Sequence, residues 1–277
     1  MSNIFAFCNQ KGGVGKTTSV INIAAYLADV GYKILVIDAD AQANTTSGLG
    51  KEKPSIEFTS YQLFVDNLDT TSLIASTDIT NLFLIPSNPH LAAVDVELVS
   101  KIGREFVLKN HIEKMREQFD FIFIDCPPSL GLITVNSLTT SDYIIIPLQC
   151  EYFALEGLGQ LIQTYMLIQR NLNPRLEIGG VILTMADFRT NLTQQVIEEV
   201  RSHFKEKVFE AVIPRSVKLS EAPSFGKPAI FYDPNNRGSK SYVEAGKEFI
   251  QRFAKKTAVI EKTEIASPAT ESLAGSQ

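Results

Sequence analysis

The chain has 277 residues, 44% of them hydrophobic and 21% charged, with no Trp and 12 Pro, a balance that fits a folded globular protein and excludes collagen-like or wholly disordered chains. Acidic residues outnumber basic ones, 31 to 26, for a formal net charge of -5, which argues against coating nucleic acid by bulk charge but leaves room for a local basic face. A single α/β domain of about 250 residues accounts for the length.

From the N-terminus, an apolar run at residues 4–8 predicts a strand, and a glycine-rich loop follows it. The next segment, 17–30, carries Val20, Ile23, Ala24, Leu27 and Val30 at helical spacing, with Gly31 where a helix C-terminal glycine belongs. Further apolar runs predict strands at 34–37, 82–85, 121–124, 143–148 and 178–183; runs apolar at nearly every position suit strands covered on both faces. Helical periods cover 104–118, 155–171, 192–204 and 239–256. The alternation predicts an α/β fold, a three-layer, doubly wound and mainly parallel sheet. It assigns residues 1–256 to one domain and 257–277, rich in Thr, Glu, Ser and Ala, to a disordered C-terminal tail. Cys8, Cys126 and Cys150 have no paired spacing and read as reduced core residues of a cytosolic protein. No window approaches the roughly 18 apolar residues of a membrane span, and the N-terminus has no export pattern.

Between the first strand and helix stands Asn9-Gln10-Lys11-Gly12-Gly13-Val14-Gly15-Lys16-Thr17-Thr18. Glycines let backbone N–H groups turn toward phosphate oxygens, the helix N-terminus adds partial positive charge, and Lys16 can reach the outer phosphates. Thr17 is placed to hold Mg²⁺. The usual phosphate loop has a glycine six residues before the lysine; here that position is Gln10, and Lys11 is the added feature. Two predicted strands end in carboxylates, at Asp38-Ala39-Asp40 and Asp125-Cys126-Pro127-Pro128. Asp125 fits metal binding and Asp40 the orientation of an attacking water. An isolated strand-end Asp is more often a turn former, but two of them following a phosphate loop favour chemistry.

The strings 11–18, Asp38-Ala39-Asp40-Ala41-Gln42 and Asp125-Cys126-Pro127-Pro128-Ser129 together resemble the deviant Walker-A ATPases, specifically the ParA/Soj chromosome and plasmid partitioning proteins. The resemblance spans about residues 2–255 and continues through residues 149–157, Thr184-Met185 with Arg189-Thr190-Asn191, and Ile213-Pro214-Arg215 leading to residues 219–224. It implies a P-loop NTPase that hydrolyses ATP with Mg²⁺, and a homodimer closing around two ATP molecules. Lys11 would cross that interface to the partner's phosphates, much as an arginine finger does, and Gly12 would lie where the two loops meet. By the same resemblance the adenine lies near Met185, Pro214 and Arg215, a plain loop being the alternative.

Residues 185–256 hold 13 Lys and Arg against 9 Asp and Glu, a segment charge of +4 in an acidic chain. A solvated helix surface is the ordinary meaning of so modest an excess. In the resembled family, however, this region binds double-stranded DNA without sequence preference, and Arg189, Lys218 and Lys227 stand in polar loop contexts. The family also implies a ParB/Spo0J-type centromere-binding partner, no membrane partner, and a cytoplasmic, nucleoid-associated protein. A MinD-type division-site ATPase with a membrane-targeting tail is the nearest alternative. An iron–sulfur reductase, a metabolic kinase and a non-enzymatic DNA-coating protein fit the residues less well.

Overall fold

The structure is a computed structural model that describes residues 2–51, 58–65, 69–151 and 154–254. The predicted tail, 257–277, lies outside the described residues. Seven strands form one sheet: β1 (Asn3–Phe7), β2 (Ile34–Asp38), β3 (Ala75–Ser76), β4 (Leu82–Ile85), β5 (Phe121–Asp125), β6 (Tyr143–Gln149) and β7 (Glu177–Thr184). Their order is β3-β4-β2-β5-β1-β6-β7, parallel throughout except for the short edge pair β3–β4. The helices are α1 (Lys16–Asp29), α2 (Asn44–Gly48), α3 (Gln62–Val65), α4 (Val94–Glu97), α5 (Val107–Ile112), α6 (Leu132–Thr140), α7 (Ala154–Asn171), α8 (Asn191–Phe204), α9 (Val217–Glu221), α10 (Ala229–Tyr232) and α11 (Arg237–Phe253).

Strand side chains alternate between two buried clusters, which is why the strands read as unbroken apolar runs. Ile4, Ala6, Ile122 and Ile124 pack on one face with residues of α5, α6, α7 and α8. Phe5, Phe7, Phe121 and Phe123 pack on the other with α1 and α11. Phe249 of α11 brings its ring centroid within 4.7 Å of Phe5 and 5.2 Å of Phe123, contacts that add about 0.5–1.5 kcal/mol per aromatic pair beyond area burial. The three-layer, doubly wound expectation therefore holds. β1 lies between β5 and β6, and the chain leaves it first toward β2 and later returns to β6, so a crevice opens at the C-terminal ends of the central strands.

Two helical expectations change. The period over 104–118 breaks into α5 flanked by 3₁₀ turns at Arg104–Phe106 and Glu113–Met115. The Asn136 side chain explains the entry: its amide donates to the Arg104 carbonyl (2.8 Å) and its oxygen accepts from Leu108 N–H (3.1 Å). At the exit Arg116 is drawn to Asp142 (2.6 Å) and the Ser2 carbonyl (2.8 Å). Conversely, α6 was not expected, because Thr, Ser and Asn crowd its sequence. It forms with those hydroxyls folded back on its own carbonyls, Ser137 to Ile133 (2.8 Å) and Thr140 to Asn136 (2.7 Å).

Candidate active site

The loop between β1 and α1 is pinned at both ends. Asn9 donates to the Pro147 carbonyl (2.7 Å) and accepts from Lys11 N–H (3.0 Å), while the buried Val14 offers its carbonyl to the Thr184 hydroxyl (2.8 Å). Gly13 and Gly15 adopt φ of 72° and 86°, left-handed values that other residues enter only with strain. Those turns expose Gly12 and Gly13 at the crevice and lead directly into α1, whose free N–H groups face it. Lys16 is buried and arches back so that its Nζ donates to the Lys11 carbonyl (3.3 Å).

Three side chains converge beside the loop. Asp125, at the end of β5, accepts through Oδ2 from the Thr17 hydroxyl (2.7 Å) and the Thr45 hydroxyl (2.6 Å). Its other oxygen, Oδ1, is buried without a hydrogen-bond partner. Asp38 stands in register with Asp125 on the adjacent strand, and accepts from the N–H (2.8 Å) and hydroxyl (2.6 Å) of Thr46. Burial pushes both carboxyl groups above the usual carboxylate range, and for Asp38 the neighbouring Asp125 adds to the rise. For Asp125, the Thr45 and Thr17 hydroxyls and Lys16 pull the other way. The orphaned buried oxygen of Asp125 beside the Thr17 hydroxyl, with the Asp38 carboxyl in register on the next strand, is a set of oxygens that a hard divalent cation fits, and a cation there would favour the ionised carboxyls that burial disfavours.

Asp40 stands half-buried at the crevice mouth, its N–H donating to Asp38 (3.2 Å) and its carboxylate accepting from Gln42 N–H (2.9 Å). The cleft has a volume of about 970 Å³ and is lined by Gly12, Gly13, Gly15, Lys16, Thr17, Thr18, Asp40, Met185, Pro214 and Arg215 among others. Met185, at φ 52°, follows β7 directly. The Pro214 turn is tied to it by a parallel bridge to Ala186, with Arg215 N–H on the Ala186 carbonyl (3.0 Å). All the residues expected at a nucleotide site except Lys11 and Val14, whose places in the loop are given above, and Asp125, which sits behind Thr17, thus line one cleft.

Sequence reasoning missed Thr45, Thr46 and Glu151. The threonines sit close after Asp40 in sequence, but only the sheet order shows that they reach Asp125 and Asp38. Glu151 binds Lys11, Nζ to Oε2, at 3.2 Å. The three residues expected to meet DNA are surface side chains that no mutual contact joins among the described residues. Arg189 is 88% exposed and doubly bonded to Asp187 (2.8 and 2.6 Å). Lys218 pairs with Glu221 (2.8 Å) and lies over the Tyr232 ring. Lys227 is exposed and makes no ion pair among the described residues.

An AAA domain family matches residues 2–178. The sporulation initiation inhibitor protein Soj of Bacillus subtilis (strain 168) is 53% identical over 90% of this chain and 98% of its own length. The chromosome partitioning protein ParA of Myxococcus xanthus (strain DK1622) is 46% identical over 93% of this chain and 91% of its own. Among solved structures, cobyrinic acid a,c-diamide synthase from Mycobacterium smegmatis with bound ADP and magnesium superposes with a TM-score of 0.79 at 32% identity, covering 91% of this chain and 95% of that one.

Proposed function

The chain belongs to the Soj and ParA family of chromosome-partitioning ATPases, and from that premise we propose that it closes as an ATP-bound dimer, holds DNA without sequence preference while closed, and is released by hydrolysis that a ParB/Spo0J-type protein stimulates. Its enzymatic activity is hydrolysis of ATP to ADP and phosphate, with Mg²⁺ as the cofactor. One observation carries the chemistry: Thr17 in the first turn of α1 and Asp125 at the end of β5 meet at 2.7 Å directly behind the glycine loop and its two lysines, Lys11 and Lys16.

Each residue has a task that its position supports. Backbone N–H groups of residues 12–18 and the Lys16 amine bind the phosphates and offset their charge. The Thr17 hydroxyl and Asp125 hold the cation, which when bound neutralises charge on the phosphate oxygens. Asp40 orients the attacking water at the open side of the cleft. Lys11 adds its charge to the phosphates of the facing subunit, which makes turnover depend on assembly. The adenine occupies the wall formed by Met185, Pro214 and Arg215. Arg189, Lys218 and Lys227 supply phosphate contacts to DNA, doubled when two subunits join. No helix among the described residues is long and apolar enough to cross a membrane, and the protein acts in the cytoplasm on the nucleoid.

The dimer is tested at Gly12. A first side-chain carbon there would meet nothing closer than Pro128 at 3.9 Å within the chain, so it has room within a single subunit. Gly12→Val is expected to bind ATP like the wild type but to remain monomeric in light scattering. Dimerisation of that variant with ATP would remove the close loop-to-loop contact from the reading.

A further inference from the structure

We propose that Glu151 is a positioning residue that parks Lys11 within its own subunit, so that release of this pair is part of dimer closure. The inference rests on the reading of Lys11 as the residue offered to the partner's phosphates. Glu151 stands two residues beyond the end of β6 and divides its carboxylate between neighbours. Oε2 holds Lys11 Nζ at 3.2 Å. Oε1 accepts from the Gln149 side-chain amide, which orients the carboxylate, and lies 3.9 Å from Arg215 Nη2. One carboxylate therefore joins the phosphate loop to the far wall of the cleft.

An amine held this way cannot at the same time serve a phosphate on another chain. A polyphosphate arriving with the partner competes with Glu151 for Lys11, and the same carboxylate's approach to Arg215 extends the competition to the wall of the cleft. Both members of the pair are partly exposed, 39% and 46%, and pairs of that exposure move equilibria only about two- to fivefold at low salt. The contact thus biases Lys11 toward its own subunit without locking it, and is weak enough for ATP and a second subunit to win.

Two readouts on the full chain separate the contact from its consequence. Without nucleotide, acylation of the Lys11 amine by an N-hydroxysuccinimide ester, followed by mass spectrometry, is expected to run about two- to fivefold faster in Glu151→Gln than in wild type at about 0.05 M salt. The gap should close at about 1 M salt, where screening reaches a few ångströms, and Glu151→Asp should fall between the two. With ATP, Glu151→Gln is expected to dimerise at about two- to fivefold lower protein concentration, and to show no such gain when combined with Lys11→Ala. Unchanged Lys11 acylation in Glu151→Gln, or an equal gain in the Lys11→Ala background, would overturn the proposal. Normal ATP-driven dimerisation of Lys11→Ala alone would instead refute the interface role of Lys11, and the acylation rates would show that the Glu151 contact was not at fault.

Discussion

Asp40 is held in place by its own turn: its N–H is tied to Asp38 and its carboxylate receives Gln42 N–H, and it has no cationic partner in the ion pairs of the described residues. A carboxylate oriented but uncommitted at a cleft mouth is suited to steering a water rather than to holding structure. Replacing it should therefore leave folding, ATP binding and dimer closure intact while slowing turnover by about 10²- to 10⁴-fold, the usual contribution of one positioned acid–base group. Phosphate release from Asp40→Ala checks this, and a normal rate would take Asp40 out of the chemistry. At this scale the sequence exposed Lys16, Thr17 and Asp125, because a glycine loop and strand-end carboxylates are local patterns. It did not expose Thr45 or Glu151, whose partners lie 80 and 140 positions away and meet them only through the sheet order.

Among the elements, α1 and α11 form the layer that carries the phosphate loop. Their contact depends on a close approach: a side-chain carbon added at Gly246 would fall 2.2 Å from Cδ1 and 2.9 Å from Cγ of the Tyr26 ring. Deeper along the interface the Tyr242 and Ser19 hydroxyls meet at 3.0 Å, with Tyr242 buried. Gly246→Val should force the helices apart and cost about 1–3 kcal/mol, the range for overpacking a tight interface. Urea unfolding measures the loss, and an unchanged midpoint would mean that the ring swings aside. Strands β1, β2 and β4 to β7 were legible in the sequence because they run apolar between two covered faces, whereas the two-residue edge strand β3, partly exposed, was not; α8 and α11 were legible because each buries one apolar stripe, and α1, buried nearly all round, because its apolar residues recur at helical spacing. The two misjudged segments have a common cause: around Asn136, side chains take over backbone hydrogen bonds that local periodicity assumes are helical or free.

For the whole molecule, a net charge of -5 and a +4 segment over 185–256 describe a chain that single surface contacts would hold to DNA only weakly. Asp187 and Glu221 further offset Arg189 and Lys218 within the subunit, so the proposed retention on DNA depends on doubling the basic surface in a dimer. Arg189→Glu combined with Lys218→Glu should abolish retention on plasmid DNA at about 0.1 M salt and leave ATP-driven dimerisation unchanged. Filter retention with ATP tests it; undiminished binding would move the DNA face elsewhere. If one Mg-ATP site powers a switch read by DNA and a partner, the steady-state ATPase rate must respond to both, and it is measured with and without DNA and a ParB-type N-terminal peptide. Turnover should be slow alone, rise clearly when both are present, and be absent in Lys16→Ala. A rate indifferent to DNA and peptide, or one that survives Lys16→Ala, would contradict such a switch.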